Sequence, residues 1–121
     1  MKPYVVDRIE SADGKVIKTY DVASYGTLIT TEESVALQEL MVEVVESGTA
    51  ARLSSYGYTA GGKTGSAEYN SNKKDSHAWF TGFAPVQNPE ISVTIIIEGA
   101  GSGGDYAVPI AKRIFDAYFG V

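Results

Sequence analysis

Lys63-Thr64-Gly65-Ser66, inside the run Gly61-Gly62-Lys63-Thr64-Gly65-Ser66-Ala67-Glu68-Tyr69, sets an ammonium, two hydroxyls and a stretch of bare backbone on four consecutive positions. Such a set can receive one carboxylate or one developing oxyanion: lysine brings charge, the hydroxyls bring donors, and glycine lets a ligand approach the main chain. In an extended strand Lys63 and Gly65 point to one face and Thr64 and Ser66 to the other. A ligand lying along that strand edge can pair with it as an added strand. The run offers no nucleophile with its own base, so it reads as one wall of an acyl-transfer site.

Two further glycine patterns must be weighed, the first of which overlaps this run. Gly57-Tyr58-Thr59-Ala60-Gly61-Gly62-Lys63-Thr64 satisfies the phosphate-loop spacing G-x-x-x-x-G-K-[ST]. A phosphate loop needs a buried apolar strand before it and a helix opening at the lysine, whereas Arg52-Leu53-Ser54-Ser55-Tyr56 precedes and no helical stripe follows. Gly99, Gly101 and Gly104 fit the dinucleotide fingerprint, but that reading expects a second parallel strand carrying an acidic residue about 20 positions on. Only Val121 follows Gly120, so the stretch is read as a loop joining a strand to a helix.

The elements that must hold Lys63 to Ser66 in place follow from periodicity. Pro3 to Glu10, a turn at Ala12-Asp13-Gly14-Lys15, and Val16 to Tyr20 predict a β-hairpin. Thr30-Thr31-Glu32-Glu33 offers a capping box, and Leu37, Leu40, Met41, Val44 and Val45 form one apolar stripe before Gly48, predicting a helix over 31–47. Strands are predicted at 61–69, 77–84 and 91–98, with short connections that favour an antiparallel meander. Asp105 as cap, Pro109 in the first turn, and Ala107, Ile110, Ala111, Ile114, Phe115 and Tyr118 predict a final helix lying on the sheet. The fold class is therefore α+β: a three-stranded antiparallel meander with a C-terminal helix packed on it, plus an N-terminal hairpin and one long helix.

Composition narrows the chemistry. The 121-residue chain carries a net charge of -5, with its Lys and Arg scattered and the Lys73-Lys74 doublet read as a solvated loop, which argues against nucleic acid as a partner. It has no cysteine and one histidine, His77, so neither a disulfide nor a thiolate metal site is expected, and no metal or cofactor is assigned. Its apolar runs are far shorter than the roughly 20 residues of a membrane span. Trp79, Phe80 and Phe83 read as core between strand and helix, and Glu68, Tyr69 and His77 as rim or packing residues near the motif.

Gly48-Thr49-Ala50-Ala51, then Gly61 to Glu68, then His77-Ala78-Trp79-Phe80-Thr81-Gly82-Phe83-Ala84-Pro85 resemble, in order and spacing, the C-terminal half of the transpeptidase domain of penicillin-binding proteins, closest to the class B type. The resemblance implies a partial β-lactamase-like fold and a peptidoglycan D,D-transpeptidase, in which a serine is acylated by a stem peptide or by a β-lactam. By matching position, Lys63, Thr64 and Ser66 would hold the ligand carboxylate, Gly65 would leave it room, and the Ser66 N–H would be one oxyanion donor. The family's S-x-x-K and S-x-N motifs are expected upstream of Met1, so residues 1–121 are expected to be a catalytically incomplete C-terminal piece with no catalytic residue of its own. Ser71-Asn72-Lys73-Lys74 fits S-x-x-K literally but follows the strand in a polar loop and is not taken as the nucleophile.

In the family fold the strand at 91–98 pairs with a strand from the N-terminal part, so self-association through that edge is expected here. The resemblance also implies an extracytoplasmic location, with a membrane anchor outside this segment. Alternatives are a piece of a D,D-carboxypeptidase, a β-lactamase or a β-lactam sensor domain, or a non-catalytic peptide-binding module.

Overall fold

A computed structural model describes residues 2, 4–69 and 76–121, and Ser71 to Lys74 lie outside them. The chain divides into two compact units, residues 1–31 and 32–121. The first holds an antiparallel hairpin, β1 (Arg8–Glu10) and β2 (Val16–Thr19), with a bulge between Ile9 and Glu10. Its first strand is shorter than the predicted 3–10. The predicted turn is present: Ser11 N–H and Gly14 N–H close it through bonds to Lys15 O and Ser11 O, and Gly14 has φ +83°, a conformation open to glycine.

The second unit holds the long helix α1 (Thr31–Glu46) from its second residue onward and continues through a 3-10 turn at Ala51–Leu53. The three strands β3 (Gly61–Glu68), β4 (Ser76–Ala84) and β5 (Ile91–Ile97) follow. They form the predicted meander in the order β3-β4-β5, both pairs antiparallel. A π-helical turn at Gly103–Ala107 leads into α2 (Val108–Phe119), which ends at Gly120 in the left-handed conformation.

Strand alternation sorts the side chains. Ala78, Phe80, Gly82 and Ala84 of β4 are buried on the face that α2 covers, opposite Ile97, Ile95, Val93 and Ile91 of β5. Trp79 points the other way and is 38% exposed, and Phe83 is half-buried, so only Phe80 of the three predicted aromatics is a full core residue. The Phe80 ring lies across the paired glycines Gly62 and Gly82. A Cβ at either would stand 2.5 Å from its Cζ, so both positions must be bare for the ring to reach the sheet.

Three expectations are corrected. Asp105 does not cap α2, because the π turn inserts itself before the α-helix and the N-cap becomes Ala107, without a side-chain bond. The buried side of α2 is Ala107, Val108, Ala111 and Phe115, whereas Ile110, Ile114 and Tyr118 are exposed. The two alanines allow close approach to the sheet and seat the helix on their own side, turning Ile110, Ile114 and Tyr118 outward. Likewise α1 buries only its C-terminal end: Val45 is in the core, while Leu37 and Leu40 are 51% and 67% exposed.

Tyr58 caps the core, stacking edge-on to Phe115 at 5.8 Å and beside Phe119 at 5.0 Å. Its hydroxyl donates to Asp116 Oδ1 at 2.8 Å, and Lys112 Nζ donates to the same carboxylate at 3.0 and 3.1 Å.

Candidate functional site

β3 is an edge strand, and its register fixes which way the motif points. Lys63 and Gly65 pair with Thr81 and Trp79, while Thr64 and Ser66 pair with Phe80 and Ala78. The two hydroxyl side chains therefore project to the α2 side and Lys63 to the other, the alternation expected of an extended run.

The main chain alternates too. A Cβ placed on Gly103 would meet the nitrogen and oxygen of Gly65 and the carbonyl of Trp79 together, so the Gly65 groups face β4. Lys63 Nζ reaches the Thr64 carbonyl at 2.6 Å, and that carbonyl therefore lies on the side away from β4. Successive residues of an edge strand alternate between partner and open side. By that alternation the N–H and C=O of Thr64 and of Ser66 turn to the open edge.

Each hydroxyl has a neighbour. Thr64 Oγ1 lies 2.6 Å from Thr49 Oγ1, and either can be the donor. Ser66 Oγ accepts a long bond from Gly103 N–H at 3.4 Å. Thr49 stands in the loop that follows α1. Gly48 permits that loop, since a Cβ there would sit 2.9 Å from the Val44 carbonyl oxygen, and Ala50 N–H closes back on the same carbonyl at 3.0 Å. Gly103 opens the π turn and is fully buried against the Gly65–Trp79 pair.

The glycine-rich loop is held rather than free. Gly101 N–H bonds Ser76 O at 2.8 Å, and Ser76 Oγ donates to Gly101 O at 3.1 Å. Gly99 N–H donates to His77 Nδ1 at 3.0 Å, and the imidazole stacks on Tyr69 at 4.2 Å. His77 and Tyr69 thus anchor a loop, in keeping with their packing role. Phosphate-loop geometry is absent at Lys63, which lies inside β3 and opens no helix.

The strand brings Lys63, Thr64, Gly65 and Ser66 to one edge. Sequence reasoning assigned no role to Thr49, Gly103 or Arg52 and took Asp105 only as a helix cap, whereas in the structure Thr49 and Gly103 back the two hydroxyls and Arg52 pairs with Asp105. Thr49 was visible only as part of a motif, and Gly103 only as one glycine in a loop.

A family model described as the penicillin binding protein transpeptidase domain matches residues 1–116. The chain belongs to that family. Peptidoglycan D,D-transpeptidase PbpA of Mycolicibacterium smegmatis is 29% identical over 124 aligned positions, covering 97% of this chain and 25% of that protein. Peptidoglycan D,D-transpeptidase MrdA of Acinetobacter baumannii is 36% identical over 100 positions, covering 72% of this chain and 15% of its own. Among solved structures, penicillin-binding protein A from M. tuberculosis, as a ceftriaxone acyl-enzyme complex, superposes with a TM-score of 0.84 at 28% identity. That match covers 95% of this chain and 27% of the other. The chain thus spans about a quarter of the penicillin-binding proteins it matches over nearly its whole length.

Proposed function

We propose that this chain supplies the Lys-Thr-Gly wall of a peptidoglycan D,D-transpeptidase, as the C-terminal piece of a transpeptidase domain whose nucleophilic serine and lysine lie in the upstream part. The observation that carries this is the open edge of β3. The N–H and C=O of Thr64 and Ser66 point outward there, with both hydroxyls already partnered from behind. A stem-peptide terminus or a β-lactam laid along that edge meets an ammonium at Lys63, hydroxyls at Thr64 and Ser66, and one oxyanion donor at the Ser66 N–H. Gly65 keeps the strand surface clear beside Trp79.

Lys63 Nζ donates to the Thr64 carbonyl, and a bound carboxylate would compete for the same ammonium. The acyl-enzyme states of the structural relatives support β-lactams as ligands of this strand. No helix among the described residues is long and apolar enough to cross a membrane. The extracytoplasmic placement belongs to the whole protein, through an anchor outside this segment.

Intact mass after incubation with a labelled penicillin tests the reading. The 121-residue chain alone should gain no covalent adduct, and a transpeptidase domain carrying this segment together with its upstream serine should gain one. An adduct on the isolated chain would show that a nucleophile lies within it.

A further inference from the structure

The two hydroxyls of the strand are set by two separate loops. One, after α1, carries Thr49 to Thr64 Oγ1, and the other, the π turn, carries Gly103 N–H to Ser66 Oγ. If the loops move independently, a carboxylate meets one aligned hydroxyl and one stray. The loops touch backbone to backbone, since a Cβ at Gly104 would stand 2.6 Å from the Thr49 carbonyl oxygen, but that contact carries no bond. Between their outer parts lies an open cleft of about 310 Å³ lined by Thr49, Arg52, Ser102 and Asp105. Among the described residues, the polar ties across the cleft run through one guanidinium nitrogen: Arg52 Nη1 lies 2.9 Å from Asp105 Oδ1 and 3.5 Å from Asp105 O.

We propose that Arg52 and Asp105 are a positioning pair, an ionic latch that locks the Thr49 loop to the Gly103 turn so that Thr64 and Ser66 present their hydroxyls to one carboxylate together. This rests on the carboxylate-clamp reading of β3. Both side chains are more than half exposed, so the pair adds little to global stability, and its effect lies in loop registry. A competing role for Arg52, as a free cation drawing in the ligand carboxylate, predicts the opposite sign at its partner. Removing the Asp105 charge would then speed acylation rather than slow it.

The test has two arms. In a transpeptidase domain carrying this segment and its upstream serine, Arg52→Gln and Asp105→Asn should each lower the rate constant for penicillin acylation about fivefold with Tm nearly unchanged. The charge swap R52D/D105R should recover it to within about twofold, a rescue that a merely structural loss would not give. Raising salt from about 0.1 to 1 M should slow the parent domain more than Arg52→Gln.

In the 121-residue chain, backbone amide exchange at Gly103 and Gly104 should quicken about fivefold in Arg52→Gln, with the Tyr58 region unmoved. Unchanged or faster acylation in Asp105→Asn, or unaltered exchange in Arg52→Gln, overturns the latch. A parent domain that penicillin never acylates overturns the clamp reading instead, and the exchange arm then decides the latch by itself.

Discussion

Gly103→Ala is the sharpest perturbation of the site's support. The missing Cβ is where the π turn rests on the sheet: a methyl there would overlap the Trp79 carbonyl and lie 2.5 Å from the Gly65 oxygen and 3.0 Å from the Gly65 nitrogen. Ordinary contact begins near 3.4 Å, so clearing the Gly65 oxygen at 2.5 Å alone requires a retreat of about 0.9 Å, and the nearer Trp79 carbonyl requires more. All three obstacles are backbone, and no rotamer change relieves them. Overpacking of this kind costs about 2 kcal/mol, which in a domain of this size lowers Tm by roughly 8 °C. The retreat also carries the Gly103 N–H, already 3.4 Å from Ser66 Oγ, out of hydrogen-bonding range. Thermal unfolding of the 121-residue chain followed by circular dichroism measures the cost, with the exposed neighbour Ser102→Ala as control, expected to change stability by no more than about 0.5 kcal/mol. A Gly103→Ala chain melting within about 1 °C of the parent would refute the close packing of the turn on the Gly65–Trp79 pair.

Thr49→Val keeps the shape of the loop and removes the hydroxyl 2.6 Å from Thr64 Oγ1. Penicillin acylation of a domain carrying this segment should fall about tenfold with little change in Tm, and a rate within about twofold of the parent would show that Thr64 needs no partner. Tyr58 and Asp116 give a pH signature. Lys112, then Tyr58, hold the Asp116 carboxyl below its ordinary value of 3.8, so its contribution is present above that value and is lost as the pH falls through the lower folded value. Burial, then Asp116, push the Tyr58 phenol above its ordinary 10.0, so that contribution is present below pH 10 and is lost as the pH rises through the higher folded value. Tyr58→Phe should cost about 1 kcal/mol near neutrality and abolish the alkaline loss, as read from Tm across the pH range. An unchanged alkaline limb would place it elsewhere. Finally, β5 is the second edge of the sheet, and the 121-residue chain should show a mass that grows with concentration in light scattering. Thr94→Lys should suppress that growth, and a constant monomer mass in the parent would end the idea of edge pairing.

The sheet was legible because β4 is rich in aromatics, β5 is rich in β-branched residues, and the Asn88-Pro89 turn signal separates the two. Periodicity failed where burial depends on what lies across the element. Leu37 and Leu40 belong to a sound apolar stripe, yet only the last turn of α1 joins the core, because a stripe states what a helix can bury and not how much partner it has. In α2 the pattern admitted two adjacent faces. Choosing between Ile110/Ile114 and Ala107/Val108/Ala111 required knowing that small residues let the helix settle onto the sheet. The π turn was invisible as well, since a single turn of i→i+5 hydrogen bonding leaves no distinctive composition in Gly103-Gly104-Asp105-Tyr106-Ala107.

The same limit explains why a phosphate-loop pattern and a transpeptidase strand can share one stretch of text. Glycine near a lysine and a threonine says only that backbone is accessible and that donors stand close. What the glycines make room for separates the two. Gly62 is bare because the Phe80 ring crosses it, and Gly65 lies beside Trp79 with its main chain committed to β4. In a phosphate loop those positions would instead turn consecutive N–H groups toward one anion at a helix start. Here the N–H groups alternate, so every second one is spent on the sheet. The open ones, at Thr64 and Ser66, are spaced two residues apart along an edge. That spacing matches the pairing pattern of an extended chain and does not converge on a compact phosphate, so strand geometry, more than the residue types, separates the two readings.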